Sequence, residues 1–247
     1  YMAALGVGEA RIFTGYDAVD NEHFQQGAAS ARLRERELRE SLGLPARYFL
    51  ACSRFTPKKN LLGLLNAYAR YRRLHNGDAW SLVIVGDGEQ RPELLSTCEQ
   101  LRLTDHVLLV GAKPYSELPV YYGLAGAFVH ASTTEQWGLV VNEAMASGLP
   151  VLVSNRCGCA PDLVEEGRNG FLFDPYDTSS LAGAMYSMAA ERTDRANMGR
   201  ESQKIVARWS PATFAESLAC AAETALVADR PRLTFIENAF LQLLSAR

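Results

Sequence analysis

The chain has 247 residues, of which 48% are hydrophobic and 21% charged, with a net charge of −3 and a sequence pI near 5.9. These values are typical of a soluble globular protein, and the slight acidity argues against a nucleic-acid-binding surface spread over the whole chain. No apolar run approaches the roughly 18 residues that a membrane-spanning helix requires. The first residues, YMAALGVGEARIF, also lack the pattern of a signal peptide.

The first 45 residues differ in pattern from the rest of the chain. They contain one strand-like run, RIFTGYDAV at 11–19, and a charged helical stretch, ASARLRERELRESLG at 29–43. The helical stretch ends at Gly43-Leu-Pro45, a helix stop signal. This front segment therefore predicts a lead-in rather than a complete domain.

From residue 46 onward, short apolar runs alternate with helical patterns. The runs are mostly continuous in apolar character, as expected of strands that are covered on both faces. Repeated β-α-β units imply right-handed crossovers, so we predict an α/β fold with a doubly wound, Rossmann-like parallel sheet. The predicted strands lie at 48–55, 80–88, 106–112, 126–132, 150–155 and 170–175, with helices between them at 60–74, 91–103, 116–125 and 138–148.

Beyond residue 175 the pattern becomes helical. Helices are predicted at 178–191, 195–209 and 211–228, with Thr178 and Ser210 as N-caps. The tail at 229–247 is amphipathic. We expect the apolar face of residues 233–245 to be an interface, with contact to a lipid surface as an alternative.

The five cysteines are scattered and odd in number, so they do not predict a disulfide framework. A reducing cytoplasm is the simpler interpretation of this cysteine usage. The close pair Cys157-Gly-Cys159 has no second pair and no nearby histidine in the sequence. Two small buried residues therefore explain it better than a zinc site.

Polar residues follow several predicted strands, at the sheet edge where open parallel sheets bind ligands. Arg54 ends the first strand, and Lys59 lies where the next helix begins. Two cations at one loop can hold a diphosphate, Arg by its fork and Lys as a point charge; a solvated loop is the alternative. Gly86-Asp-Gly88 fits neither the dinucleotide nor the P-loop motif, and a simple tight turn is the alternative there.

The stretch STTEQWGLVVNEAMASGLPV at 132–151 carries two carboxylates in an otherwise apolar and small-residue run. A helix that begins at Gly138 leaves backbone N–H groups that suit an anion. Glu143 lies one turn after Leu139, so its side chain leans toward the same helix end, and Glu135 precedes it in the loop. Carboxylates at this position can accept hydrogen bonds from sugar hydroxyls. The alternative for Glu143 is a solvent-facing helix residue.

Several blocks of the sequence together resemble one known family. They are EQWGLVVNEAMASGLPV, with two glutamates separated by seven residues, and SRFTPKKN, LVIVGDG, VLLVGAKPYSELPVYY and LVEEGRNGFLFDP. The chain resembles the C-terminal, donor-binding domain of the retaining GT-B glycosyltransferases of family 4, glycosyl transferases group 1. The resemblance runs from about residue 11 to about residue 190 and implies the C-terminal half of a GT-B fold with a helical C-terminal extension.

The resemblance implies a role for individual residues. Arg54 and Lys59 would contact the donor diphosphate and Glu135 would lie near the donor sugar, so these three would be the catalytic residues. Glu143 would bind the ribose. The other donor-binding positions would be Gly86, Gly88, Ala112, Lys113, Trp137, Gly138 and Leu139.

The resemblance also implies a reaction and a division of the chain. A sugar would pass from a UDP-, GDP- or ADP-sugar to an acceptor with retention at the anomeric carbon. No cofactor is expected, and the lack of an Asp-x-Asp motif in the sequence agrees with metal-independent chemistry. Residues 1–45 would be the remnant of an acceptor domain with its linker, 46–209 the donor domain, and 210–247 helices that pack toward the absent acceptor domain.

Other interpretations of the sequence stay open at this point. The acceptor would be a sugar, glycan, lipid or small molecule, and the full-length protein would be cytoplasmic or attached peripherally to a membrane. Other enzymes share the fold, among them sugar-nucleotide epimerases and phosphorylases, although no lysine has the context for pyridoxal phosphate. A non-catalytic module that binds a nucleotide sugar is a further alternative.

Overall fold

The computed structural model describes residues 2–75, 79–228 and Gln242. In this part of the chain, six parallel strands form one sheet in the order β3-β2-β1-β4-β5-β6. All six lie within the predicted runs and are shorter than them, so the doubly wound α/β fold is confirmed. The strands are β1 (Tyr48–Cys52), β2 (Ser81–Val85), β3 (Val107–Gly111), β4 (Ala127–His130), β5 (Val151–Ser154) and β6 (Gly170–Phe173).

Helices surround this sheet and connect its strands. Those predicted between strands and after residue 175 are present, usually one to three residues shorter at an end. The short helix after β5 was not predicted. The α-helices are α1 (Asn21–Leu33), α2 (Glu35–Leu42), α3 (Leu61–Leu74), α4 (Arg91–Gln100), α5 (Leu118–Leu124), α6 (Leu139–Ala146), α7 (Ala160–Leu163), α8 (Thr178–Ala189), α9 (Arg195–Val206) and α10 (Pro211–Val227).

The sheet separates two hydrophobic cores, because successive side chains of a strand point to opposite faces. In β1, Phe49 and Ala51 pack into one core with residues of α3, α4 and α8. Tyr48 and Leu50 pack into the other core with residues of α1, α5 and α6. Burying one such large apolar side chain contributes about 2 kcal/mol relative to leaving it exposed. The continuous apolar runs of the sequence follow from this coverage on both faces.

The front segment departs from the prediction in two respects. The strand expected at 11–19 does not form; Glu9–Arg11 is a 3-10 helix, and Gly15 has a left-handed φ of +92° that interrupts an extended strand. The charged helical stretch is not one helix, because it breaks at Arg34 into α1 and α2. Helix α1 packs against α5 and α6, with Phe24 fully buried between them.

Helix caps were only partly predicted. Ser210 is the N-cap of α10, and its hydroxyl accepts a hydrogen bond from the Thr213 N–H at 3.1 Å. Thr178 is not a cap; the carboxylate of Asp177 caps α8 and accepts from the Ser179 N–H at 2.8 Å. An aspartate one residue earlier serves the same purpose, because both side chains offer an acceptor oxygen.

Two further expectations from the sequence concern membrane-spanning helices and the C-terminal tail. Among the residues described, no helix has the length and apolar character needed to cross a membrane. The prediction for the tail at 229–247 lies outside the described residues, apart from Gln242.

The strand order places a crevice beside β1. The chain moves outward from β1 to β2 and β3, then returns to the other side of β1 for β4, which pairs with β1 in parallel. Loops that follow β1 and β4 therefore leave the sheet in opposite directions. In open α/β sheets, ligands bind in the crevice that opens at such a switch point, outside the carboxyl ends of the strands.

Candidate functional site

The loops after β1 and β4 meet at this crevice. The backbone N–H of Thr133 donates to the carbonyl of Lys58 at 2.9 Å and so ties the two loops together. Beside this bond, the ammonium of Lys59 forms an ion pair with the carboxylate of Glu135. Both side chains are largely buried, with 14% and 13% of their surface exposed. The fold thus brings together two predicted site residues that lie 76 positions apart in the chain.

Glu135 also lies next to a buried histidine that the sequence analysis missed. His130, the last residue of β4, has its Nε2 atom 3.6 Å from Oε2 of Glu135 and 3.3 Å from the hydroxyl of Ser132. His130 and then Lys59 lower the pKa of Glu135 to about 2, so this carboxylate is ionised at neutral pH. Burial lowers the pKa of His130. A single polar residue at the end of an apolar strand was the available signal.

Arg54 lies in the loop that follows β1 and is exposed to solvent. In contrast to Lys59, it forms no ion pair with any residue in the described part of the chain. Its guanidinium therefore remains available for an anionic ligand. Arg54 and Lys59 belong to one loop, as predicted, but only Lys59 has a carboxylate partner.

Helix α6 begins at the crevice, directly after the Glu135 loop. Gly138 precedes it in a left-handed conformation with a φ of +111°, which glycine adopts at little cost. The first backbone N–H groups of a helix have no partner within the helix and favour an anion. Trp137 is buried, and its indole N–H donates to Oδ1 of Asn142 at 2.9 Å, which fixes the loop onto the helix. Leu139, by contrast, is exposed.

Glu143 is buried on α6 and is not the solvent-facing helix residue of the alternative interpretation. Only 9% of its surface is exposed. Its Oε2 atom accepts a hydrogen bond from the hydroxyl of Tyr122 on α5, at 2.8 Å. Burial raises the pKa of Glu143 to about 7, against the opposing effect of the Tyr122 hydrogen bond. Tyr122 occupies one carboxylate oxygen and leaves the other for a ligand; the sequence analysis did not identify it.

Cys52, at the carboxyl end of β1, completes this part of the crevice. Burial first, and then the nearby charge of Glu143, raise the pKa of its thiol to about 12, so the thiol is neutral. Cys52, Tyr122 and Glu143 thus form a small polar group between the carboxyl end of β1 and the helices α5 and α6.

The two glycines of the GDG turn are explained by backbone packing. Gly86 and Gly88 have φ values of +136° and +156°, and their loop lies against the backbone of the loop after β1. The Phe55 N–H donates to the Asp87 carbonyl at 2.8 Å. A Cβ atom on Gly86 would lie 1.8 Å from the Ser53 carbonyl oxygen, so no other residue fits there. The turn therefore supports the loop that carries Arg54.

Replacing Gly86 by alanine is expected to lower the free energy of unfolding by about 2 kcal/mol or more, because the added methyl group collides with backbone. Urea denaturation measures this change. Gly183→Ala is the matched control, since a Cβ at this position of α8 meets no atom within 4 Å. It should stabilise the protein by about 0.5–1 kcal/mol. Equal stability of the two variants would contradict the packing argument.

Ala112 and Lys113 follow β3, so they lie at the carboxyl edge of the sheet, where the crevice opens. Lys113 lies against α5. Ala112 is exposed, and the Lys113 ammonium lies 5.7 Å from the centre of the Tyr121 ring. They are not part of the cluster formed by Lys59, Glu135 and His130. Their role beside the base of a nucleotide stays a prediction.

The Cys157-Gly-Cys159 segment supports the Glu135 loop through its backbone. The N–H of Gly158 donates to the Glu135 carbonyl at 3.0 Å, and that of Cys159 donates to the Trp137 carbonyl at 3.3 Å. Burial raises the pKa of Cys157 to about 12. Within residues 2–75 and 79–228, no three His, Cys, Asp or Glu side chains are grouped so that they could hold a metal ion. Metal-independent chemistry stays a prediction.

Comparison with known proteins places this chain in a family. The model of the family described as "Glycosyl transferases group 1" matches residues 34–205. A GDP-mannose-dependent alpha-(1-6)-phosphatidylinositol monomannoside mannosyltransferase of Mycobacterium tuberculosis (strain ATCC 25618 / H37Rv) is 31% identical over 210 residues, which are 81% of this chain and 53% of the relative. A D-inositol 3-phosphate glycosyltransferase of Thermobifida fusca (strain YX) is 33% identical over 203 residues, 78% of this chain and 45% of the relative.

Solved structures agree with this assignment. Sucrose-phosphate synthase from Thermosynechococcus elongatus superposes with a TM-score of 0.71 at 26% identity, over 86% of this chain and 52% of that one. Anabaena Alr3699/HepE in complex with UDP-glucose gives 0.70 at 26% identity, over 85% and 56%. The chain spans about half the length of the curated relatives named here. From its fold and sequence, the chain belongs to the glycosyl transferases group 1 family and has the Rossmann-like C-terminal half of a GT-B fold.

Proposed function

We propose that this chain supplies the donor-binding half of a retaining glycosyltransferase that uses a nucleotide-diphosphate sugar. The observation that carries the proposal is the meeting of cations, carboxylates and a helix N-terminus at one crevice of the sheet. Lys59 and Glu135 are in contact there, and Glu143 on α6 forms a second polar group with Tyr122. The family to which the chain belongs, and the UDP-glucose complex of a structural neighbour, support the same donor class.

The proposed contacts follow from the chemistry of each group. Arg54, Lys59 and the backbone from Trp137 to Leu139 would bind the diphosphate, because guanidinium, ammonium and helical N–H groups all favour anions. Glu143 would accept a hydrogen bond from a ribose hydroxyl through the oxygen that Tyr122 leaves unused. The base would lie toward Ala112 and Lys113, with the Gly86–Gly88 turn as a wall.

The same groups would serve the reaction. When the bond from the anomeric carbon to the diphosphate breaks, negative charge grows on the leaving nucleoside diphosphate. Arg54, Lys59 and the start of α6 would stabilise that charge from fixed positions, which is an effective form of electrostatic catalysis. Glu135 would lie beside the sugar and contact its hydroxyls. Retention of the anomeric configuration and independence of metal are part of this proposal.

The division of the chain is proposed on the same basis. Residues 1–45 would connect to an acceptor-binding half, 46–209 would bind the donor, and the helices from 210 onward would pack toward the other half. The acceptor would be a sugar, glycan, lipid or small molecule, and peripheral membrane attachment would belong to the full-length protein. The isolated chain should bind the donor but transfer its sugar poorly.

A thermal-shift screen with UDP, GDP and ADP tests the proposal most directly, since a ligand that binds only the folded state raises the melting temperature. One of the three nucleotides should stabilise the chain more than the others. Release of nucleoside diphosphate by the full-length protein, with the anomeric configuration of the product determined by NMR, tests the reaction. Donor binding without any release would favour a non-catalytic module, and an epimerised sugar nucleotide would favour an epimerase.

Replacing Glu135 by glutamine is expected to tighten UDP or GDP binding about fivefold, equivalent to about 1 kcal/mol. The change removes a carboxylate near the proposed diphosphate position and releases Lys59 from its ion pair. Titration calorimetry measures the affinity. Glu89→Gln is the control, because Glu89 is exposed and follows the GDG turn at the same edge. Weaker nucleotide binding by Glu135→Gln would mean that Glu135 contacts the nucleotide itself.

A further inference from the structure

A groove on the opposite edge of the sheet carries three arginines that the proposed function does not use. It lies at the amino ends of β4 and β5, where Gly126 and Pro150 precede the strands, and has a volume of about 410 Å³. Arg32 of α1 and Arg195 and Arg200 of α9 line it. The candidate donor site lies at the carboxyl ends of the strands, so the length of the strands separates the two sites.

The positive charge of this groove is not neutralised within it. No aspartate or glutamate is among its lining residues. Arg32 donates to the Ser147 carbonyl at 2.6 Å, Arg195 donates to the Ala190 carbonyl at 2.8 Å, and Arg200 donates to the side-chain oxygen of Asn197 at 3.3 Å. These acceptors are uncharged, so they position the guanidinium groups without cancelling their charge.

Each guanidinium retains further donors for a ligand, because arginine carries five N–H donors. Arg195 is also held against the ring of Trp80, with its guanidinium carbon 5.1 Å from the ring centre. A cation on an aromatic face is fixed in place without losing its outward-facing donors. Among residues 2–75 and 79–228, none of the three arginines forms an ion pair.

Five of the eleven residues that line the groove are glycine or alanine. Gly148 has a left-handed φ of +78°, and a Cβ atom there would lie 3.2 Å from the side-chain nitrogen of Gln203 and 3.8 Å from Nη2 of Arg32. A larger residue at this position would therefore fill the space between two groups that donate hydrogen bonds.

Helix α9 adds to the positive potential. It has 12 residues, and its first two, Arg195 and Ala196, both line the groove. The N-terminal end of a helix carries a partial positive charge that favours anions. The N-cap carboxylate of Asp194 lies nearby, where it accepts from the Asn197 N–H at 2.9 Å. This carboxylate offsets part of the positive charge of the helix end, so the three arginines are the main source of positive charge in the groove.

We propose that this groove is a second anion site, which binds phosphate or the phosphate group of a small monoester at the amino edge of the sheet. Arginine is suited to this role because its planar fork pairs two N–H donors with two phosphate oxygens. The proposal does not depend on the proposed transfer reaction, because it uses none of the residues of the donor site.

Titration calorimetry of the full chain, with the donor site saturated by the nucleotide that stabilises it best, tests the proposal. Inorganic phosphate and glycerol 3-phosphate should both bind, and glycerol should not. Arg200→Gln is expected to weaken phosphate binding about tenfold, as loss of one charge-assisted contact. Arg208→Gln is the control, because Arg208 is exposed and follows the opposite end of α9. It should leave the affinity unchanged.

Three results would overturn the proposal. They are absence of phosphate binding by the parent chain, equal affinity in the parent and Arg200→Gln, and loss of binding in Arg54→Ala with Arg200→Gln unaffected. The last result would place the phosphate in the donor site. Because Arg200 is exposed, its substitution should not prevent folding, and the melting temperature of the variant checks this directly.

Discussion

Replacing Arg54 and Lys59 together by alanine is expected to weaken binding of UDP or GDP by about a hundredfold or more. Each substitution removes a charge-assisted hydrogen bond to the diphosphate, and such bonds contribute about 1.5–3 kcal/mol each. Titration calorimetry of the parent and the double variant measures the difference. Lys58→Ala is the matched control, because Lys58 belongs to the same loop, has an exposed side chain, and forms no side-chain hydrogen bond or ion pair with the described residues.

The single variants should differ from each other. Lys59 must leave its ion pair with Glu135 before it can hold a diphosphate, whereas Arg54 has no ion pair to break in the described structure. The loss of affinity should therefore be larger for Arg54→Ala than for Lys59→Ala. If both single variants bind the nucleotide as tightly as the parent does, the assignment of the phosphate site is wrong.

The strands and most helices were predictable because their signals are local. β5 and β6 are marked by the short apolar runs 151–153 and 171–173; β5 is buried along its length, and β6, at the edge of the sheet, is partly buried in its middle. The predicted runs were longer because they included polar and turn residues at their ends, such as Ser53, Asn155 and Asp174. By contrast, RIFTGYDAV has strand-like composition but no neighbouring strand, and the Asp17 carbonyl instead accepts a hydrogen bond from Asn142 on α6 at 3.0 Å. A strand requires a partner that composition does not reveal.

The candidate site was predictable in its charged residues but not in its supporting ones. Sequence spacing alone favoured a solvent-facing Glu143, but the packing of α6 against α5 buries it. Tyr122 contacts it from 21 positions earlier, and His130 contacts Glu135 from the strand end. The Tyr122 contact depends on how α5 and α6 pack, so no periodic pattern within one element could indicate it. For His130, the single polar residue at the end of an apolar strand was the available signal.

Binding of a nucleotide sugar is expected to strengthen as the pH rises through about 7, because the ionised Glu143 carboxylate accepts a hydrogen bond from the ribose more strongly than the protonated carboxyl does. Burial raises the pKa of this carboxyl from its ordinary value of 4.5 to about 7, so near pH 6 most of it is protonated. Titrations with UDP-glucose and GDP-mannose from about pH 5.5 to about pH 8.5 cover the transition. These ligands suit the test because their diphosphate does not titrate in this range.

The stability of the ligand-free chain should change in the opposite direction. The folded state holds the Glu143 proton more tightly than the unfolded chain does, so the stabilisation is complete below pH 4.5 and is lost as the pH rises to about 7. The free energy of unfolding should fall by about 3 kcal/mol over this interval from this group alone, and level off above it. In Glu143→Gln both trends should disappear, with donor affinity held at a low, pH-independent value. A pH dependence that persists in this variant would assign the titration to another group, and unchanged affinity would remove Glu143 from the donor site.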